Sequence, residues 1–519
     1  MNNEGKEELV FEEKRKIKIH PTIIFILISM LIVLLSGIAE LFNLSITYNE
    51  INPLSGKVEP TLVTVNSLLS FDGFRYIIGN ALKNFVNFTP LSMTLLALLG
   101  IGVAEKSGYL KTLLTKIVKR IPYQYITFLI IFLGICTSLA TEVGYVILLP
   151  LAALLFLING RHPIAGIVTG FAGVTIGYGI NFFIGPTDQI LSTYTTNAAN
   201  IIDSGYEATM AGNWYFMIIA TIIMSFIGML ITEKIIVPKL GKYKDNEDFK
   251  KIEITNTEKK GLRYARIATI VLGLIFLYMI IPGLPASGLL LDNTEITYVN
   301  KLFGYNSYFS SGIIFIISLI FLVGGISYGI GTKKIKNDKD VANIMTSALD
   351  KIGIYIVFIF FASQLIAYLN YTNLGTILVA GITKLVKNLS FTGVPLILLL
   401  LLITMIVNLL VNSTTLKWSI MAPIFIPMFM QANLSPEFTQ LIFRAGDSIT
   451  KPLTIFLPYF IIFLVLIYKY NKTNSVTTIK KSISLMLPYS LILGLIWIAL
   501  IIGWYIIGLP IGPEVYPTI

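Results

Sequence analysis

Uninterrupted apolar runs of roughly twenty residues dominate the sequence, and this is the length of helix that crosses about 30 Å of hydrocarbon. These runs occupy residues 21–42, 91–104, 125–157, 163–184, 214–237, 267–285, 309–330, 352–368, 394–410, 455–468 and 486–507. The alternating ten-residue pattern of an outer-membrane barrel is absent, and helices are the other spanning structure that satisfies the backbone in lipid. Apolar residues make up 55% of the chain and charged residues 13%. We therefore predict an all-α polytopic membrane protein.

The basic residues are concentrated in some of the connections between these runs. They occur in the first tail and in four later segments: Lys14, Arg15, Lys16 and Lys18, then residues 106–120, 239–266, 333–339 and 469–481. By contrast, residues 188–213 and the tail after residue 507 hold no Lys or Arg. The positive-inside rule then places the tail 1–20 in the cytoplasm and the tail 509–519 outside, with an odd number of crossings. No small-residue cleavage site follows the first run, so we expect a retained helix.

The remaining composition excludes several classes of function. The net charge of +11 lies between the apolar runs, so it does not indicate a nucleic-acid partner. Cys136 is the single cysteine, which excludes a disulfide framework and a thiolate metal site. His20 and His162 each precede a proline at a membrane edge and form no metal-binding pattern. No nucleophile–base pair or phosphate loop is visible, so we expect neither an enzyme nor a cofactor.

A polar linker at residues 241–265 divides the chain into two membrane halves, 21–240 and 266–508, and each half contains a run too long for one crossing. The run 125–157 is interrupted by Thr137, Ser138, Thr141 and Glu142, and the region 394–430 by Asn412, Ser413, Thr414, Thr415, Lys417 and Trp418. Glu142 and Thr415 each lie eight positions before a proline, Pro150 and Pro423. We predict two re-entrant helical hairpins, because paired interruptions in two halves are typical of a transporter's central site.

The chemistry of such interruptions favours ion and anion binding. A helix broken in the bilayer has N–H and carbonyl groups that must face protein or water. Exposed helix N-termini favour carboxylates, whereas carbonyl and hydroxyl oxygens at about 2.4 Å suit a small hard cation such as sodium. We assign ion coupling to Thr137, Ser138, Thr141, Glu142, Asn412, Ser413 and Thr414, together with Thr450 and Lys451. The alternative is that these side chains only help helices to pack.

Six ionisable residues lie in or beside the apolar runs, where each costs at least about 2.5 kcal/mol near the bilayer centre. The acidic ones are Glu142, Asp188 and Asp447, and the basic ones are Lys417, Arg444 and Lys451. Arg444 presents a planar fork that matches a carboxylate, either that of Asp447 or that of a substrate. The alternative is a structural ion-pair network that orients helices.

A glycine-rich segment follows the first interruption and leads to Asn181 and Asp188. Its small residues suit close helix packing or local unwinding near Asn181. We match it in the second half to residues 364–375, where Asn370 and Asn373 offer amides that both donate and accept. A further broken helix is predicted at residues 441–468.

The sequence resembles the p-aminobenzoyl-glutamate transporter (AbgT) family of bacterial inner-membrane carriers over nearly its whole length. The resemblance is carried by LGIGVAEKSG at residues 99–108, GRHP at 160–163, FAGV at 171–174, IGP at 184–186 with Asp188, NWYFM at 213–217, NYTNLG at 370–375, KW at 417–418, AP at 422–423, GDS at 446–448 and LMLPYS at 485–490. It implies a multi-pass homodimer with about nine crossings and two re-entrant hairpins in two inverted-repeat halves.

The resemblance also implies cation-driven transport of a solute like p-aminobenzoyl-glutamate, which has two carboxylates and an aromatic ring. The alternative is export of sulfonamide-type antimetabolites on the same scaffold. By position, the implied functional residues are Asp188, Thr415, Trp418, Arg444 and Asp447. With them we group Asn181, Asn370, Asn373 and Lys417 as substrate-binding candidates, and Trp418 either stacks on the solute's ring or is simply packed.

The sequence departs from the family pattern in two places. The first hairpin of the family reads Ser-Asn-x-x-Ser-Asp, whereas this chain has Thr137-Ser138 and Thr141-Glu142. After Asp447 the family has Thr-Asn, whereas here Lys451 follows Thr450. A fixed ammonium repels sodium, and a buried lysine can titrate. We therefore hypothesise that Lys451 weakens one cation site, and that coupling uses protons or fewer sodium ions.

Overall fold

The computed structural model describes residues 20–52, 55–140, 142–243, 253–304, 306–350, 352–386, 391–471 and 478–519. Among the predicted features, most of the tail 1–20, Thr141 and part of the linker 241–265 lie outside these residues.

The first half of the chain contains ten α-helices and one β-hairpin among the described residues. They are α1 (Pro21–Leu41), β1 (Ser45–Ile51), β2 (Val58–Thr64), α2 (Phe71–Val86), α3 (Thr89–Lys106), α4 (Tyr109–Val118), α5 (Tyr123–Cys136), α6 (Leu149–Ile158), α7 (Pro163–Ile176), α8 (Pro186–Ala199), α9 (Trp214–Ile231) and α10 (Val237–Leu240). A 3₁₀ turn (Thr137–Ala140) and a π-helical turn (Gly144–Leu148) lie between α5 and α6, and a second π-helical turn (Thr232–Ile236) joins α9 to α10.

The second half consists of helices in the described residues. They are α11 (Asn256–Ile280), α12 (Tyr298–Phe303), α13 (Tyr308–Gly331), α14 (Asp338–Ala348), α15 (Ile352–Tyr371), α16 (Leu374–Val386), α17 (Gly393–Asn408), α18 (Thr414–Gln431), α19 (Pro436–Thr450), a 3₁₀ turn (Lys451–Leu453), α20 (Phe460–Tyr470) and α21 (Ile479–Ile507).

The prediction of an all-α polytopic fold is confirmed. In the described part of the chain, seven helices are long and apolar enough to cross a membrane, or eight if the pair Tyr109–Val118 and Tyr123–Leu139, bent by 119°, counts as one span. The helices α7, α8, α19 and α20 are too short to cross singly. If α7 with α8 and α19 with α20 each form one broken crossing, these two crossings and the seven spans make the nine that the family resemblance implies.

Two series of elements follow one another in the same order. In the first, the hairpin of α5 and α6 precedes the broken pair α7 and α8 and then α9; in the second, the hairpin of α17 and α18 precedes α19 and α20 and then α21. Helix α5 packs on α7 as α17 packs on α19, and α7 contacts α20 while α8 contacts α18. The counterpart of the segment after α7 is therefore the break after α19. Our match of that segment to residues 364–375 was wrong, because it followed residue types instead of the order of elements.

The two hairpins start from opposite faces of the molecule. The base of the first hairpin lies at a lysine-rich face, where His162 packs against Tyr243 and Lys239 Nζ donates to Ser484 O at 3.2 Å. The base of the second hairpin lies beside the C-terminal tail, where Ser435 N donates to Pro517 O at 2.9 Å. Both histidines act as helix N-caps, since the Nδ1 atoms of His20 and His162 accept backbone N–H groups. The orientation of these faces in the cell stays a prediction.

The β-hairpin was not predicted. Strands β1 and β2 pair antiparallel from Ser45↔Thr64 to Ile51↔Val58, and the turn between them places Gly56 at φ +67°. Their β-branched and aromatic residues suit a half-buried strand, and β1 packs against α16 and α18. The hairpin therefore covers one flank of the second re-entrant hairpin.

Candidate functional site

Helix α19 is the central element of the site, because every one of its residues is buried. Glycine permits its close packing: a Cβ on Gly446 would lie 2.8 Å from the carbonyl oxygen of Leu401 in α17. Likewise, a Cβ on Gly179, in the break after α7, would lie 2.9 Å from Arg444 O. These approaches bring the charged side chains of α19 against both the second hairpin and the first broken helix.

Asp447 joins α19 to the second hairpin. Its carboxylate is fully buried, accepts a hydrogen bond from Thr414 Oγ1 at 2.5 Å and forms an ion pair with Lys417. Lys417 Nζ also donates to Asn408 Oδ1 at 2.5 Å, and Asn408 Nδ2 donates to Asp447 O at 2.7 Å and to Thr450 Oγ1 at 3.1 Å. The carboxylate of Asp447 and the amide oxygen of Asn408 are thus both occupied by hydrogen-bond donors near the tip of the second hairpin. Asn408 was missed because it lies at the end of an apolar run, before the polar cluster.

Lys451 lies in a shell of oxygen atoms. Its Nζ donates to Asn412 O at 2.7 Å and Thr414 Oγ1 at 3.2 Å, and it lies 3.3 Å from Asp447 Oδ2. The ring centroid of Tyr178 lies 4.1 Å from the same ammonium, which is cation–π distance. Carbonyl, hydroxyl and carboxylate oxygens are the ligands that a hard metal ion prefers. Here the Lys451 ammonium lies at the centre of these oxygens.

Arg444 joins α19 to the first half. Its Nη1 lies 2.5 Å from Asp188 Oδ1, and Asp188 Oδ2 accepts from Asn181 Nδ2 at 2.5 Å and from Gly185 N at 2.7 Å. Asp188 therefore caps the N-terminus of α8, where the helix dipole favours a carboxylate. Arg444 is 1% exposed, yet its Nε has no hydrogen-bond partner. An orphan buried N–H is uncommon in folded proteins, so this one is a candidate donor for a ligand.

Trp418 is fully buried beside this pair. Its ring stacks on Phe443 with centroids 4.5 Å apart, and its Nε1 donates to Thr195 Oγ1 at 3.0 Å. Thr195 in turn donates to Gln440 Oε1 at 2.8 Å. In this arrangement Trp418 is a packed residue between α8 and α19.

Tyrosine side chains lie where the tip of the first hairpin approaches the second hairpin. Thr137 Oγ1 donates to Gly134 O at 2.6 Å, while Ser138 Oγ is buried without a hydrogen-bond partner. Glu142 is half-buried and interacts electrostatically with Tyr178, whose ring covers Lys451. The tyrosines were missed because they continue an apolar run instead of interrupting it.

Some predicted residues lie away from this cluster. Ser413 is exposed, and its Oγ caps α18 by accepting from Leu416 N at 3.2 Å and lies 3.3 Å from Thr415 Oγ1. Asn370 is exposed, and Asn373 Nδ2 donates to Thr64 O of β2 at 3.1 Å. The described structure thus places Asn370 and Asn373 near the β-hairpin, while it brings together Asn181, Asp188, Lys417, Trp418, Arg444, Asp447 and Lys451.

Two re-entrant hairpins and two broken helices that enclose buried charges define an α-helical membrane transporter. The chain belongs to the AbgT putative transporter family, whose model matches residues 12–519. It is 33% identical over 500 residues to the p-aminobenzoyl-glutamate transport protein of Escherichia coli strain K12, covering 96% of this chain and 94% of that protein. The family is one of transporters and not of enzymes.

Two solved structures are also similar in sequence. The YdaH transporter of Alcanivorax borkumensis is 34% identical, with 95% of this chain and 100% of that chain covered and a TM-score of 0.49. MtrF of Neisseria gonorrhoeae, described as illuminating a class of antimetabolite efflux pumps, is 35% identical, with 96% and 98% covered and a TM-score of 0.48.

Proposed function

We propose that this protein is a secondary active transporter of p-aminobenzoyl-glutamate or a similar small aromatic dicarboxylate. The observation that carries the proposal is the buried guanidinium of Arg444, whose Nε lacks a partner between the two helix breaks. A planar guanidinium binds a carboxylate through two parallel hydrogen bonds, and one edge of Arg444 is left over from its contact with Asp188. The name of the Escherichia coli relative supplies the solute.

Binding requires a movement, because Arg444 is 1% exposed. The breaks after α7 and α19 supply the hinges, since their backbone is not held in a continuous helix. A solute carboxylate then binds the free Nε edge of Arg444, while Asp188 keeps its ion pair with Arg444 Nη1 and its N–H donors Asn181 and Gly185. No buried charge loses its partner of opposite charge on binding, which keeps the free-energy cost of binding low. We assign the solute's ring to Trp418, which stacks on Phe443, the residue before Arg444 in α19.

For ion coupling, we propose that the Lys451 ammonium occupies a position that a sodium ion would otherwise take. Its oxygen shell, formed by Asn412, Thr414 and Asp447, supports this assignment. Because the ammonium already fills this position, a proton gradient is the driving force that requires no metal ion there. The hydroxyls of Thr137 and Ser138 lie at the tip of the first hairpin, and the hydroxyl of Thr450 lies at the end of α19, where it accepts from Asn408.

We also propose a homodimer in the bacterial inner membrane, with the lysine-rich face in the cytoplasm. The long helix α11 supports an interface with lipid or a second copy, because its apolar side chains Ile267, Ile270, Val271 and Leu274 are exposed. Cysteine crosslinking of Leu274→Cys in native membranes, in a Cys136→Ser background, checks whether two copies meet there.

Radiolabelled p-aminobenzoyl-glutamate uptake into proteoliposomes tests the transport function. It is measured with a proton gradient, with a sodium gradient and with neither. We expect uptake with the proton gradient and little extra uptake with sodium. Gradient-dependent transport of sulfonamides, without transport of p-aminobenzoyl-glutamate, would instead establish the export alternative. Transport of neither solute would contradict the proposal.

A further inference from the structure

A cavity of about 820 Å³ lies between β1, α16 and α18, on the face opposite the lysine-rich one. Its polar lining includes Asn49, Thr383, Thr392 and Gln431. Lys384 is the single charged side chain among the described residues that line it, and Lys384 is exposed. The cavity thus combines one positive charge with an apolar wall, and this mixture suits an organic anion with an apolar body.

Two prolines in the cavity wall favour a watery cavity over one filled with lipid. Pro423 and Pro427 lie inside α18, and both line the cavity. Proline has no N–H, so the carbonyl groups of Ser419 and Pro423 lose their usual donors four residues later in the helix. In a membrane, such carbonyls must face protein or a watery space. We therefore expect the cavity, which Pro423 and Pro427 line, to be the watery space that these carbonyls face.

The end of the cavity at Tyr48 and Ile420 lies close to the central site without opening into it. Tyr48 and Ile420 line this end, and Ile420 follows Trp418 by two residues. The Tyr48 hydroxyl donates to Glu50 at 2.9 Å, and Glu50 accepts from Ser419 Oγ at 3.3 Å. This contact between β1 and α18 separates the cavity from the turn of helix that carries Lys417 and Trp418.

A second cavity occupies the corresponding place on the lysine-rich face. It measures about 200 Å³ and is lined by Pro150, which holds in the first hairpin the position that Pro423 holds in the second. Its charged lining is mixed, with Glu105 and Asp350 beside Lys106 and Lys469. In both hairpins, therefore, the helix segment that contains the proline forms part of a cavity wall. Of the two cavities, the described lining favours anions only in the one at Lys384.

We propose that the cavity at Lys384 is the entry vestibule for the transported anion, and that Lys384 captures a carboxylate of an aromatic dicarboxylate before it reaches Arg444. This assignment rests on the proposed transport function. Lys384 acts by charge at an exposed position, so its effect is on capture and is screened by salt.

Binding in the vestibule is measured first, without transport. Thr392→Cys, in a Cys136→Ser background, places a thiol in the cavity wall, and its reaction rate with a methanethiosulfonate reagent is followed with and without p-aminobenzoyl-glutamate. We expect the solute to slow the reaction about fivefold, and Lys384→Gln to abolish this protection. Absence of protection with Lys384 intact overturns the vestibule, whatever the transport result.

Uptake kinetics then separate the two proposals. At low salt, Lys384→Glu is expected to raise KM about tenfold with kcat unchanged, and the difference from wild type is expected to shrink to about twofold at high salt. Lys301→Glu is the matched control, since it changes the same charge in the connection between α11 and α13 and outside the cavity lining. Equal KM values in the two variants overturn the role of Lys384, whereas protection without any wild-type uptake overturns only the transport function.

Discussion

Replacing Lys451 by asparagine is expected to create a sodium requirement that the wild-type protein lacks. Lys451 Nζ lies 2.7 Å from Asn412 O and 3.2 Å from Thr414 Oγ1, so the ammonium fills the shell that would otherwise bind a cation. Asparagine removes the charge and adds an amide oxygen. Asp447 keeps its ion pair with Lys417, so the hairpin stays attached to α19.

The size of the effect follows from the electrostatics of this shell. A sodium ion bound to the same oxygens would lie within about 4 Å of the ammonium, where two unit charges repel by about 4 kcal/mol at an effective dielectric constant of about 20. This repulsion corresponds to roughly a 10³-fold lower sodium affinity. Removing the charge is therefore expected to raise sodium affinity by roughly the same 10³-fold factor.

The assay is initial uptake of p-aminobenzoyl-glutamate over about three decades of sodium concentration, at fixed pH and membrane potential. We expect a flat response for wild type and a saturable increase for Lys451→Asn. Lys451→Met is the matched control, because it removes the charge without adding an oxygen and should respond less. If wild type already requires sodium, or if Lys451→Asn shows the same sodium and pH dependence as wild type, the role given to Lys451 is wrong.

Three further predictions concern stability, each measured as Tm in detergent. Burial lowers the pKa of His162 to about 4, so its contribution to stability is complete above pH 6.5 and is lost as the pH falls towards 4; His162→Asn, which can still cap α7, should flatten the Tm profile in that window. Gly173→Ala should lower the free energy of unfolding by about 1–3 kcal/mol despite alanine's better helix propensity, because the new Cβ would lie 2.8 Å from a backbone oxygen of α5. Gly353→Ala is the control: its Cβ meets nothing within 4 Å, so it should not destabilise the protein. Glu233→Gln should cost about 2 kcal/mol by weakening bonds of 2.7 and 2.8 Å from Arg161, and a double-mutant cycle with Arg161→Gln should recover part of that loss.

Hydrophobic run length predicts the membrane helices well, because lipid permits so few backbone structures. The interruptions at Thr137 and Asn412 likewise indicate the hairpin tips, since a cluster of polar residues in the middle of an apolar run is costly in lipid unless it faces protein or water. The strands β1 and β2 were missed because they are short and lie in a connection, where hydropathy carries little information. Such strands are recognised only by their alternation and by what they pack against.

The site was predicted in part for a similar reason. Arg444, Asp188 and Asp447 are charges in apolar surroundings, so the sequence alone marks them. Asn370 and Asn373 were grouped with them because they are polar and lie near the end of an apolar run. The amide of Asn373 instead contacts β2, and no linear pattern relates residues some three hundred positions apart. The contact of Tyr178 with Lys451 was missed for the same reason, because the two residues lie far apart in the chain.

Uptake in Arg444 variants measures whether Arg444 binds a carboxylate of the solute. Arg444→Ala leaves Asp188 buried without its partner, so the measurement includes the double variant Arg444→Ala/Asp188→Asn, which restores a neutral site. Loss of charged hydrogen bonds worth about 1.5–3 kcal/mol predicts a fall in kcat/KM of roughly 10- to 150-fold in both variants, with stability recovered only in the double variant. Wild-type kcat/KM for p-aminobenzoyl-glutamate in a folded Arg444→Ala/Asp188→Asn protein would show that Arg444 does not bind the solute.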